Sequence, residues 1–121
     1  MNMHQTCAAL AALFALAACG QQDGSKPGLT GADRTSFIES TVTSCNAAAK
    51  TNPQAAQTPP AIIAQYCTCS ASVMADKMTP DQMHSIDANK DSNPAEARAV
   101  AKPLIDAAAN ACRAILRRAP N

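Results

Sequence analysis

The sequence contains no Trp, one Tyr and two Phe in 121 residues. Beyond the first eighteen residues only Phe37 and Tyr66 remain as aromatics. Proteins that hold single-stranded nucleic acid stack bases on aromatic rings beside a cationic track. Here the charges nearly cancel, ten Lys and Arg against nine Asp and Glu. The nearest approach to a basic cluster, Arg113, Arg117 and Arg118, falls in the last turns of an expected helix, where cations complement the dipole. Nucleic acid is therefore not an expected partner. Histidine is scarce too, with His84 alone after the N-terminal segment. There is no G-x-S-x-G, H-E-x-x-H or phosphate-binding glycine loop, and Asp76 and Asp81 only flank a helix cap. An inventory this bare gives general acid–base or nucleophilic catalysis nothing to work with. The expectation is a non-enzymatic protein with no catalytic residue and no cofactor. Long hydrophobic runs are missing as well. The longest apolar run extends over the 12 residues Cys7–Ala18, short of the roughly 18 to 20 that a spanning helix needs but typical of a signal-peptide core.

That run ends in Leu16-Ala17-Ala18-Cys19. The tetrapeptide resembles the lipobox of bacterial lipoproteins, a bulky aliphatic and two small residues before a cysteine. The resemblance implies that Cys19 is acylated, that residues 1–18 are removed, and that the mature chain is anchored to a membrane through its lipid. Two or more acyl chains make such an anchor stable, at about 0.8 kcal/mol per buried CH₂. Gly20 stands where the inner-membrane retention signal of enteric lipoproteins has Asp, so the resemblance implies the outer membrane, facing the periplasm. The alternative is an ordinary secretory signal cut after Ala15-Leu16-Ala17. Both readings export the chain.

Three regions follow from composition. Residues 1–18 form the signal peptide. Residues 19–32, rich in Gly and polar residues and without a hydrophobic period, read as a flexible tether. Residues 33–121 form one domain, and its signals are helical. Asp33 precedes Phe37, Ile38, Val42 and Cys45 at helical spacing, and Thr51-Asn52-Pro53 ends that helix. Thr58-Pro59-Pro60 opens a second helix with Ile63, Cys67, Met74 and Met78 on one stripe, running to about Lys77. Thr79-Pro80-Asp81-Gln82 has the form of a capping box and starts a short helix to about Ala88. Asn93-Pro94-Ala95-Glu96 starts the last helix, to about Arg118, with Leu104, Ile105, Ala108, Cys112 and Ile115 on one side. Pro103 is expected to kink or split it.

The fold class expected is all-α, a small three- to four-helix bundle. Its alanine bias favours helix yet gives a core little volume, so covalent support is expected. After Cys19 the chain holds Cys45, Cys67, Cys69 and Cys112. An even number in a small exported domain argues for two disulfides. Bridging Cys67 to Cys69 within one helix is sterically excluded. The two other connectivities both tie the second helix to the first and the fourth. At 100° per residue, Cys67 and Cys69 point about 200° apart, toward different neighbours. Which stripe faces the first helix stays open, with a lean to Cys45–Cys67 and Cys69–Cys112. One cysteine, then Tyr-Cys-x-Cys, then a cysteine on the last helix looks similar to small exported helical proteins of proteobacteria, a resemblance over residues 36–116 that brings no activity with it.

The functional expectation is an envelope lipoprotein acting as a protein-binding or structural module, with a membrane partner through Cys19 and a protein partner in the envelope. One alternative is an immunity or inhibitor lipoprotein that captures a toxin. The other is a copper or zinc protein, because Cys67 and Cys69 with Met74, Met78, Met83 and His84 offer soft ligands. Met74 and Met78 are spaced as core residues, and export favours S–S bonds over thiolates, so no metal ligand is assigned.

Overall fold

A computed structural model describes residues 24–118. Among them are four helices and no strand: α1 (Gly31–Thr51), α2 (Pro60–Lys77), α3 (Pro80–Asn89) and α4 (Pro94–Leu116). The chain is all-α, as its punctuation implies. Pro60, Pro80 and Pro94 each occupy a first helical position, where the missing N–H would have had no partner. The capping box is complete: the Gln82 N–H donates to Thr79 Oγ1 at 3.0 Å, and the Thr79 N–H donates to Gln82 Oε1 at 2.9 Å. Asn93 caps α4 more loosely, accepting from the Glu96 N–H at 3.4 Å.

The cross-links set the directions of the helices. Arg34 meets Asp76 at 2.8 Å and Cys45 is bonded to Cys67, so α1 and α2 run antiparallel. Cys69 is bonded to Cys112, and Met78 and Leu104 share one apolar cluster, so α2 and α4 are also antiparallel. α1 and α4 each pack on α2, which lies at the centre, and α3 packs on α4. We call the end of α2 at Lys77 the base and the end at Pro60 the pole.

The core has two parts. Toward the base, Leu29, Met78 and Leu104 are buried, with Phe37, Met74, Met83 and Ile86 packed around them. Outside that cluster, Ala71, Ala75, Ala97 and Ala108 lie buried, as do Cys67 and Cys112. Ala71 and Ala75 repeat at i, i+4 on α2, as do Ala108 and Cys112 on α4. Small side chains in such rows let helices approach closely, and the disulfides supply what volume does not. α1 has no buried residue at all.

Four expectations are corrected. Composition reads residues 19–32 as a tether, yet from Gly24 onward the chain is docked. Leu29 is 2% exposed and its N–H donates to the Ala75 carbonyl at 2.9 Å, while the Gly28 N–H donates to Met78 O at 3.0 Å. The reason lies in helix ends, which leave backbone groups unpaired. The Thr79 N–H, which would have closed the α2 turn at Ala75, is taken by Gln82, so the Ala75 carbonyl is open to the docked segment 24–30, which forms a strap. At the start of α3 the Asp81 N–H donates to Gly24 O at 3.0 Å. The strap thus satisfies both helix ends, and Gly28 makes the turn at a φ of +105°, which favours glycine. Next, α1 begins at Gly31 rather than after Asp33, which sits in its first turn. Pro103 does not split α4; the Lys102–Asp106 pair, 2.7 Å apart, bridges it on the exposed side. Finally, Ile105 is 52% exposed, because it lies 100° around the helix from buried Leu104 and no neighbour covers that edge.

Candidate functional site

The four cysteines of the domain form two disulfides, Cys45–Cys67 and Cys69–Cys112. Their Cα atoms are 5.6 and 5.9 Å apart, inside the ordinary range. The residue between Cys67 and Cys69 turns their side chains to opposite flanks of α2, so one flank is stapled to α1 and the other to α4. In the chain-entropy picture, loops of 22 and 43 residues give about 3 and about 4 kcal/mol. For a core this thin, that is a large share of any net stability.

The same geometry disperses the soft-ligand set. Both sulfurs of Cys-x-Cys are in S–S bonds facing different helices. Met78 is 1% exposed in the apolar cluster, with Met74 and Met83 packed against it, and His84 lies exposed on α3. Among the described residues no group of three or more His, Cys, Asp or Glu converges. Asp76 pairs with Arg34, and Asp81 holds the α3 end of the strap. A Cβ on Gly24 would run into the Asp81 side chain, so glycine is what lets the backbone approach there.

Two shallow grooves open on the surface. One, about 250 Å³, lies between the first half of α1 and α3, floored by Phe37, Met78, Met83 and Ile86 with Asp33 and Asp87 at its edges. The other, about 260 Å³, lies at the pole where the α1–α2 loop turns, lined by Asn46, Lys50, Ala56, Thr58 and Ile63.

Charge is divided along the long axis. No Asp or Glu occurs between Glu39 and Asp76 or after Asp106. Antiparallel pairing puts those two stretches together at the pole, whose cations are Lys50, Arg113, Arg117 and Arg118. The carboxylates of the described chain are gathered in the base half beside Lys26, Arg34, Lys77, Lys90, Arg98 and Lys102. In the sequence the three arginines look like helix-end charges alone. The missing signal was the spacing of the acids, two long acid-free stretches that mean little until the helices are laid side by side.

Cys19 and the tetrapeptide it closes lie outside the described residues. Within them, no helix is long and apolar enough to cross a membrane. Neither protein-family models, nor curated proteins, nor solved structures match this chain.

Proposed function

We propose that this chain is an exported lipoprotein, acylated at Cys19, whose helical domain serves as a non-enzymatic protein-binding module of the cell envelope. The observation that carries the reading is Leu16-Ala17-Ala18-Cys19 at the end of a 12-residue apolar run. Both disulfides support export, since S–S bonds persist where the surroundings are oxidising. Gly20 in place of Asp favours the outer membrane.

The docked strap changes how such an anchor works. From Cys19 to Gly24 is five residues, a reach of about 18 Å at full extension. The domain is therefore held close to the bilayer with its base toward it, rather than swinging on a long tether. Its function is to present the stapled helices at a fixed height.

The test is acylation. The wild-type chain should incorporate a palmitate label and sediment with membranes, and Cys19→Ser should do neither. A wild-type mature chain that starts at Ala18, carries no lipid and stays in the soluble fraction would overturn the reading.

A further inference from the structure

The pole of the domain has a chemistry its fold does not require. Lys50 lies near the end of α1, and Arg113, Arg117 and Arg118 lie at the end of α4. The antiparallel pairing brings both ends alongside the first turns of α2. Some positive charge belongs there, because two helix C-termini carry about −0.5 each and the α2 N-terminus offsets one of them with about +0.5. The net of about −0.5 leaves most of four cations uncompensated, with no Asp or Glu in either acid-free stretch. Among the described residues no ion pair engages any of the four. Arg113 donates only to neutral Asn110. Leu116, 39% exposed, sits between Arg113 and Arg117, so the surface sets an exposed apolar side chain beside guanidinium groups, and Arg is enriched at protein interfaces.

We propose that this pole is the docking surface for an acidic, partly apolar segment of an envelope protein. The inference deepens the lipoprotein reading and rests on it. With the anchor five residues from the strap at the base, the pole stands one α2 length away, about 27 Å at 1.5 Å per residue. With the base toward the bilayer, that distance is several Debye lengths at physiological salt, too far for the cations to act on the lipid surface. What remains within their reach is a partner arriving from the other side. Guanidinium groups fit carboxylates in a bidentate manner, and an apolar residue of the same segment would cover Leu116.

The experiment uses the full chain reconstituted in phosphatidylcholine vesicles, with a fluorescent peptide of alternating Glu and Leu as probe and its Lys counterpart as control. The Glu peptide should bind and the Lys peptide should not, with affinity falling as salt rises. Arg113→Glu, Arg117→Glu and Arg118→Glu combined should weaken binding about tenfold or more, whereas Lys26→Glu with Lys90→Glu at the base should leave it unchanged. The milder Arg117→Gln with Arg118→Gln, which removes charge without reversing it, should give an intermediate loss. Equal binding of both peptides, or an equal loss from the base variant, overturns the proposal. So does a Cys19→Ser chain whose pole arginines bind phosphatidylglycerol vesicles more tightly than the Glu peptide, which would make lipid the partner. Failure of the anchor reading is separate, read from the mass of the mature N-terminus, and the peptide titration then proceeds in free solution.

Discussion

Leu29 donates its backbone N–H to the carbonyl of Ala75 at 2.9 Å while its side chain is buried against Met78 and Leu104. One residue thereby closes the C-terminal end of α2 and fills the base of the core. Truncating it removes a fully buried side chain from the centre of the cluster and leaves a cavity among Phe37, Met74, Met78 and Leu104. Leu29→Ala should cost about 2–5 kcal/mol, a fall in Tm of roughly 4–8 °C per kcal/mol for a domain of this size. A Gly/Ser segment in place of residues 24–30 should destabilise at least as much. Thermal unfolding followed by circular dichroism checks both, and an unchanged Tm would mean the strap is a mere linker.

Leu104 and Ile105 are neighbours in sequence and opposites in burial, 5% against 52% exposed. Leu104→Ala should cost about 2–5 kcal/mol. Ile105→Ser should stay within about 0.5 kcal/mol of the parent. Denaturant titration of the two variants side by side would detect a rotation of α4, which would reverse their order.

Peptide mapping without reduction should recover Cys45 linked to Cys67 and Cys69 linked to Cys112, and no other pairs. Reduction should raise the intact mass by about four hydrogens if no free thiol is present. Removing the second bridge with Cys69→Ala and Cys112→Ala should destabilise by about 2–4 kcal/mol. The first bridge holds α1, which packs on α2 alone among the helices, so Cys45→Ala with Cys67→Ala should expose α1 amides to hydrogen exchange before those of α2 and α4.

Much of this fold is legible in the sequence because its punctuation is strong. Pro60, Pro80 and Pro94 mark three helix starts, Thr79 with Gln82 specifies its own geometry, and the 200° between Cys67 and Cys69 implies two stapled flanks. The strap was not legible. Leu29 is a single apolar residue among Gly, Pro and Lys, so it has no period to read, and its burial depends on a carbonyl freed when Gln82 takes the Thr79 amide. The exposure of Ile105 was hidden because stripe reading accepts adjacent apolar residues together, and which of the two is covered depends on where the neighbouring helices sit. At the candidate site, the identities of the cations were visible and their assembly was not, since Lys50 and Arg117 are far apart in the chain and meet one end of the fold only through antiparallel packing.

The two disulfides join Cys45 through Cys112 into one covalent network, and the strap lies outside it. A pull on the N-terminal end is borne first by non-covalent contacts, among them the hydrogen bonds of Gly24, Gly28 and Leu29 and the buried Leu29 side chain. None of these is covalent, so the strap can peel away while α2 stays bonded to both of its flanks. Mechanically the molecule is a stiff body behind a weak link, and release of that link would lengthen the reach of the domain by the span of the strap without unfolding what it presents.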